Sequence, residues 1–305
     1  MLPLRDFFRI VKPPSLKILI YQCMWNNRPK PSVAGCKFMF NRARWREADA
    51  VVFHVPQLKS SRFPPRKLPG QIWVAWSMES EVHYPMLARR KELGSVFDLW
   101  MTYQQDSDVS CSYLSVVEID SLQKPPAAKT ADVPTVAVIS SRAEQSGRTE
   151  MLEALMREMP IDSYGKLFCN RSGRIAQGRT GKLAVISRYK FTLAFENSIC
   201  RDYVTEKFFD PLVSGSVPVY LGAPNVDDFA PGDNCYINAS QFGSPQALAA
   251  YLMALAEDEA AYARYFQWKT KPLRSHFLQL LEAAKPDPFQ RLAERLLTLR
   301  TAPNP

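Results

Sequence analysis

The chain predicts an α/β fold made of two Rossmann-like halves facing each other across a cleft, and three observations carry that expectation. Short apolar or β-branched runs, each bounded by polar or turn residues, recur through the first half. A second series of such runs, interleaved with helix-period segments, fills the second half. Between them lies 124–134 (KPPAAKTADVP), a Pro- and Ala-rich stretch with the composition of a linker. In folds of this type ligands bind outside the carboxyl ends of the strands, and a cleft between two domains is the default site.

The elements follow in order. Strands are predicted at 16–21 (LKILIY), 50–54 (AVVFH), 71–76 (QIWVAW) and 99–103 (LWMTY). Residues 56–70 hold four prolines and four basic residues and read as a loop. After the linker, a strand at 135–140 leads into a polar loop, 141–147. A helix at 148–159 follows, with Met151, Leu152, Leu155, Met156 and Met159 at helical spacing, and Pro160 ends it. Residues 161–166 suggest a short strand and turn, and the Gly- and Arg-rich 170–181 a loop. Residues 191–222 form the most informative stretch. An apolar run, Phe191 to Phe195, ends in Glu196, Asn197 and Ser198. A helix-like run from Tyr203 carries Glu206 and Lys207, Gly215 closes it, and Val217 to Leu221 make a second apolar run. This strand–loop–helix–strand order is the local unit of a parallel sheet. Helices are predicted at 245–256, 258–268 and near 287–299. The expected domains are 1–130, 131–275 and a helical tail, 276–305.

Composition narrows the class. The 305 residues are 46% hydrophobic and 23% charged, ordinary for a globular protein. No apolar run approaches the roughly 18 residues of a membrane span, and the opening MLPLRDFFRIVKPP lacks the sustained apolar core of a secretory signal. The expectation is a cytoplasmic enzyme, peripherally membrane-bound at most, with the Golgi lumen as the alternative if the chain is a trimmed form of an anchored one. The six cysteines (Cys23, Cys36, Cys111, Cys169, Cys200, Cys235) include no CxxC pair and read as reduced and structural. His54, His83 and His276 do not approach zinc-ligand spacing, so no metal ligands are expected. The net charge is +9, and residues 28–67 alone hold ten basic residues against Glu47 and Asp49, a net of +8. That window is a solvated face, or it attracts an anionic membrane surface or an acidic acceptor. No nucleic-acid-binding motif accompanies it.

Chemistry concentrates at Asn197, Tyr203, Glu206 and Lys207. A loop running into a helix start offers free N–H groups and a positive dipole end. Lys207 adds a point charge, and Glu206 can accept from ribose hydroxyls or base N–H groups. The set suits a nucleotide diphosphate; an amphipathic helix with an exposed Glu–Lys pair has the same composition. Arg148 opens a helix after a polar loop and can point to the same edge. Glu79 and its neighbour Glu81 follow the run ending at Trp76, at a strand's carboxyl end. Asp106-Ser107-Asp108 is a DxD triplet, read as a turn or helix cap in preference to a metal–diphosphate site.

The stretch FENSICRDYVTEKFFDPLVSGSVPVYLG (195–222) resembles the donor-binding motif of the α1,3/α1,4-fucosyltransferases of glycosyltransferase family 10. Further resemblance lies in GCKFMFNRARWREADAVVFHVP (35–56), WSMESEVHYP (76–85), MTYQQDSDVSCSY (101–113), residues 135–166 ending in YGK, and 245–269; it runs in order from about residue 16 to 270. The resemblance implies a GT-B fold and an inverting transfer of L-fucose from GDP-fucose to a GlcNAc-containing glycan, of LacNAc/Lewis type or an N-glycan core. Asn197, Tyr203, Glu206 and Lys207 would hold GDP-fucose, Arg148 would join Lys207 at the diphosphate, and Glu79 would be the general base. No cofactor would be required beyond the donor, with Mn or Mg at most stimulatory. Three departures fall elsewhere: Glu81 stands where Pro is frequent, Gln104 and Gln105 where two arginines are frequent, and Ser140-Ser141-Arg142 where Ser-Asn-Cys is frequent. The first two touch the acceptor half, so the motifs speak more firmly for the donor than for the acceptor. Residues 289–300 (FQRLAERLLTLR) could lie on a membrane surface or pack on the body.

Overall fold

The structure is a computed structural model and describes residues 15–22, 28–58, 66–171, 175 and 178–301. Cys23, Lys59, Arg62, the opening residues and parts of the predicted loops at 56–70 and 170–181 lie outside the described residues.

In chain order the strands are β1 (Lys17–Ile20), β2 (Ser32–Val33), β3 (Cys36–Met39), β4 (Ala50–His54), β5 (Ile72–Ser77), β6 (Leu99–Thr102), β7 (Val109–Ser110), β8 (Thr135–Ala137), β9 (Ile161–Ser163), β10 (Phe191–Phe195), β11 (Val217–Leu221) and β12 (Ile237–Asn238). The helices are α1 (Ile119–Leu122), α2 (Arg148–Glu158), α3 (Gly178–Ile186), α4 (Glu206–Ser214), α5 (Pro245–Glu257), α6 (Glu259–Arg264), α7 (Ser275–Ala284) and α8 (Pro288–Thr301). They form two sheets, in the orders β2-β3-β1-β4-β5-β6-β7 and β12-β11-β10-β8-β9. The fold is α/β and of the GT-B class.

Every residue of β4, β10 and β11 is buried. Parallel strands covered on both faces read as unbroken apolar runs, which is why these were legible in the sequence. The second sheet is parallel throughout its observed pairings. In it the chain passes from β8 outward to β9, then returns to the other side of β8 as β10. The carboxyl ends of β8 and β10 therefore flank the point where strand order reverses, the place where open α/β sheets bind ligands. The first sheet repeats the device: β1 leads to β3 on one side, and the chain then crosses to β4 on the other.

The compact units are not contiguous in sequence. One comprises residues up to Ser77, Arg89–Met101 and Pro288 onward; the other comprises Met78–Ala88 and Thr102–Asp287. The expected boundaries at 130 and 275 do not coincide with this division. Residues 124–134 lack regular structure, as expected of a linker, but Lys129 Nζ donates to Ser187 O at 2.9 Å and Thr130 N to Arg188 O at 3.0 Å, so the segment is fastened within the second unit. The C-terminal helix α8 belongs to the first unit. Its Phe289, Leu292, Ala293 and Leu296 are buried, and Phe289 meets Phe38 at 6.0 Å and Trp76 at 5.1 Å between ring centroids. Its apolar face is thus covered by protein, each large side chain contributing about 1.5–3 kcal/mol of burial, and it packs on the body, the other reading of 289–300.

Three further expectations are corrected. The run from Tyr203 is not helical at its start: Tyr203 precedes α4, which begins at Glu206 with Thr205 as its N-cap. The strand predicted at 135–140 ends at Ala137. Part of the loop predicted at 170–181 is helix, because α3 starts at Gly178.

Candidate active site

The site begins where β10 runs out of apolar residues. Glu196 is fully buried, and its carboxylate accepts from Thr205 N at 2.8 Å and Thr205 Oγ1 at 2.8 Å. Lys207 Nζ lies 3.3 Å from the same carboxylate, 2.9 Å from Thr205 Oγ1 and 3.2 Å from Glu206 Oε1. A buried carboxylate without such partners would be strongly destabilising; here the cap residue and the first-turn lysine of α4 supply them. Burial pushes the Glu196 carboxyl up, opposed by Lys207. For Lys207 burial favours the neutral amine, but Glu196 and Glu206 outweigh it and hold the ammonium. Burial would raise Glu206, yet Lys207 and Lys182 hold its carboxyl below the ordinary range. Gly222 leaves the room this needs, since a Cβ there would stand 2.4 Å from Tyr220 Oη and 2.6 Å from Glu196 Cγ.

Arg148 is the first residue of α2, behind Gly147, whose φ of 73° suits glycine. Glu144 organises this helix start: its carboxylate accepts from Ser146 N at 2.8 Å and Gly147 N at 3.0 Å. Arg148 is 2% exposed. It donates to Ser141 O at 2.8 Å and Phe195 O at 3.4 Å, while its buried Nε has no partner among the described residues. Burial lowers its pKa, and the Glu144 and Glu196 carboxylates partly restore it. The two loops at the reversal point are laced together: Gln145 N donates to Asn197 O at 2.8 Å, and Ser146 Oγ to Glu196 O at 2.6 Å. Asn197, Glu206, Lys207 and Arg148 are thereby gathered at one sheet edge.

Residues 78–84 belong to the same unit. Tyr203 Oη donates to Glu79 Oε2 at 3.3 Å, and the Tyr203 ring packs on Tyr103 and Tyr113 with centroids 5.0 and 6.4 Å apart. Burial drives the Tyr203 hydroxyl far above its usual pKa, reinforced by Tyr113 and Glu79, so it stays a donor. Tyr113 Oη donates to Met78 O at 3.1 Å, Ser198 Oγ to Ser80 Oγ at 2.6 Å, and His83 Nε2 lies 3.2 Å from Asn197 O. Glu81, the rival carboxylate, is held by Tyr103 Oη and by Gln104 Nε2 at 3.3 Å. That occupation suits a structural role better than proton transfer.

Two departures from the family pattern thus touch each other, Glu81 and Gln104. The third residue, Gln105, serves a different partner: its N and Nε2 donate to Asp202 at 3.2 and 2.9 Å. Asp202, at φ 64°, also accepts from Asn225 Nδ2 at 2.8 Å. The Asp106–Asp108 triplet lies in the turn between β6 and β7, where Ser107 N donates to Gln104 O at 3.3 Å, in keeping with a turn. The sequence reading did not give Glu196, Thr205 or Asp202 a role. The available signal was a charged residue directly after the largely apolar run FTLAF, before a Thr-Glu-Lys helix start.

Comparisons with known proteins identify the family. The profile of the glycosyltransferase family 10 (fucosyltransferase) C-terminal domain matches residues 128–298, and that of the fucosyltransferase N-terminal domain matches 13–114. A fucosyltransferase-like protein of Arabidopsis thaliana is 38% identical over 219 residues, covering 71% of this chain and 41% of its own length. Human 4-galactosyl-N-acetylglucosaminide 3-alpha-L-fucosyltransferase FUT6 is 36% identical over 252 residues, 78% of this chain and 66% of its own. Human alpha-(1,3)-fucosyltransferase 7 is 32% identical over 277 residues, 85% and 76%. The chain thus spans less than half of the plant relative and about two thirds of FUT6. A crystal structure of an alpha1,3-fucosyltransferase with GDP-fucose superposes with a TM-score of 0.61 at 16% identity, covering 95% of this chain and 93% of that one, a likeness of fold.

Proposed function

The chain belongs to glycosyltransferase family 10, the fucosyltransferases, and on that premise we propose that it transfers L-fucose from GDP-fucose, with inversion, to a hydroxyl of a GlcNAc-containing glycan in an α1,3-type linkage. The observation that carries the reading is the joining of the two motifs in one unit: Tyr203, from the donor motif, hydrogen-bonds Glu79 at 3.3 Å, while Glu196 and Thr205 hold the Lys207 ammonium at the adjoining edge.

In this reading Lys207 and Arg148 meet the diphosphate, where negative charge builds as the fucose bond breaks. Lys207 is already held as the ammonium, so no protonation step precedes binding. Arg148 offers a planar fork suited to phosphate oxygens. Glu206 and Asn197 take the nucleoside and the rest of the donor. Glu79 accepts the proton of the attacking hydroxyl, with Tyr203 orienting its carboxylate. Two cations fill the place a divalent metal takes in other transferases, so activity is expected to survive a chelator.

GDP release from GDP-fucose across GlcNAc, LacNAc and N-glycan core acceptors tests the proposal. Turnover with at least one acceptor, retained in EDTA, is the expected result. Turnover only with another nucleotide sugar, or GDP-fucose binding without turnover on every acceptor, overturns it.

A further inference from the structure

The helix that carries Glu206 and Lys207 is weakened from within. Pro211 stands inside α4 and has no N–H, so the Lys207 carbonyl lacks the helical bond that residue 211 would otherwise supply. That carbonyl belongs to the turn at the donor edge. Cations from other elements hold the helix instead. At its far end Lys269 Nζ donates to Leu212 O at 3.0 Å and Lys129 Nζ donates to Gly215 O, where a helix favours positive charge. Near its start the restraint comes from α3.

Asp210 is 1% exposed, and a buried carboxylate needs close partners. α3 supplies two of them. Arg179 Nε donates to Asp210 Oδ1 at 2.7 Å, and Lys182 Nζ forms an ion pair with Asp210 Oδ2. Arg179 and Lys182 are three residues apart and share one face of α3; Glu206 and Asp210 are four apart and share one face of α4. Lys182 therefore acts on two carboxylates one helical turn apart. It is paired with Asp210, and together with Lys207 it holds the Glu206 carboxyl below its ordinary range.

The two carboxylates differ in access. The Glu206 side chain is 34% exposed, so a ligand can reach it, while Asp210 is closed off. Lys182 lies outside the set of Arg148, Asn197, Tyr203, Glu206 and Lys207. Around Glu206 the other ionisable groups are Lys207 and Asp210 on α4 itself, Glu196 after β10, Arg148 on α2, and Tyr203 and Tyr113. All of these stay in place when Lys182 alone is changed.

We propose that Lys182 is a positioning residue for donor binding: anchored by Asp210, it holds the Glu206 carboxylate where it can accept hydrogen bonds from the hydroxyl or N–H groups of a nucleoside diphosphate sugar. The proposal rests on the transferase reading above and adds to it a residue that acts through Glu206. Binding of this kind is equal in ground and transition states, so its loss appears in KM and spares kcat.

Donor kinetics of Lys182→Met, Lys182→Arg and Arg179→Gln, with a carboxyl-carbon NMR titration of Glu206 in each, test it. Lys182→Met should raise the KM for GDP-fucose about tenfold with kcat within about twofold. Removing a cation disfavours the charged carboxylate, so Glu206 should titrate at higher pH, and the KM should begin to rise at higher pH as acid is added. Lys182→Arg should restore most of both. Arg179→Gln also removes a partner of Asp210; it should lower the melting temperature and leave the KM and the Glu206 titration near native. Lys182→Gln, which keeps a hydrogen-bond donor for Asp210, gives the same readouts should the Met variant fail to fold. An unchanged KM and Glu206 titration in Lys182→Met overturn the proposal. Equal KM changes in Lys182→Met and Arg179→Gln also overturn it, since the α3–α4 contact would then act only through stability. If GDP-fucose is neither bound nor turned over by the native protein, the transferase reading fails by itself. The titration still decides the role of Lys182: a Glu206 shift in Lys182→Met and not in Arg179→Gln supports it, and no shift sinks it.

Discussion

The two sheet edges differ in how far their polar groups are satisfied. At the β8–β10 edge, Glu196 has three partners, Lys207 has three oxygens, and the flanking loops are laced through Gln145 and Ser146. At the β1–β4 edge, Gln22, His54 and Trp76 are also deeply buried, but among the described residues four of their atoms have no hydrogen-bond partner and two arginines, Arg28 and Arg42, face no carboxylate. A closed network fixes the position of a charge before a ligand arrives, which is what preorganised electrostatic stabilisation requires. An open set costs stability instead, because buried polar atoms lose their bonds to water without replacing them. The same topology thus carries a closed hydrogen-bond network at one sheet edge and an unsatisfied buried set at the other.

Perturbing each edge should give effects of different size and sign. The largest is expected at the closed edge. Lys207→Ala should lower kcat/KM for GDP-fucose about 10²–10³-fold, by loss of charge at the leaving group; steady-state kinetics check it, and an unchanged value would remove Lys207 from the donor site. Glu196→Gln should destabilise the fold by roughly 2 kcal/mol, because it weakens bonds to Thr205 and leaves Lys207 less compensated. It should also raise the KM for GDP-fucose, as Lys207 loses its fixed position. Urea denaturation and donor kinetics read the two effects.

The open edge should respond to acid. His54 titrates at about 4 in the folded state, below its ordinary 6.5. Its contribution is therefore fully present above pH 6.5 and is lost as pH falls toward 4, at up to about 1.4 kcal/mol per pH unit. His54→Phe should flatten that part of the stability profile; an unchanged acid slope would contradict the neutral, buried imidazole. The smallest effect has the opposite sign: Gln22→Leu removes two orphaned atoms and should leave stability unchanged or raise it by up to about 1 kcal/mol. A clear loss on thermal melting would mean that the Gln22 amide is satisfied in the folded protein.

Much of the architecture was legible because burial is written into local sequence. β4, β10 and β11 are fully buried and largely apolar runs, and α2 and α5 carry periodic apolar faces. What was not legible depends on distant partners. The chain crosses between units after Ser77, Ala88, Met101 and Asp287, and α8 is held by Phe38 and Trp76, more than two hundred residues away. Residues 124–134 have linker composition, but Lys129 finds Ser187 O. Tyr203-Val204 sits at the start of the helix-like run predicted from Tyr203, although the Thr205 side chain caps the helix and excludes both residues. At the site, Asn197, Tyr203, Glu206, Lys207, Arg148 and Glu79 were visible through motif resemblance. The reason Lys207 stays charged was not, since it lies in Glu196, eleven residues before it and buried.

The central claim is that donor binding and proton removal are separate tasks, held by Lys207 with its carboxylates and by Glu79. Single-turnover GDP release by Glu79→Gln, at saturating GDP-fucose and a competent acceptor, tests it most directly. The account predicts a rate reduced about 10²–10⁴-fold with GDP-fucose affinity by calorimetry close to that of the native protein. Retention of most of the native rate would contradict it.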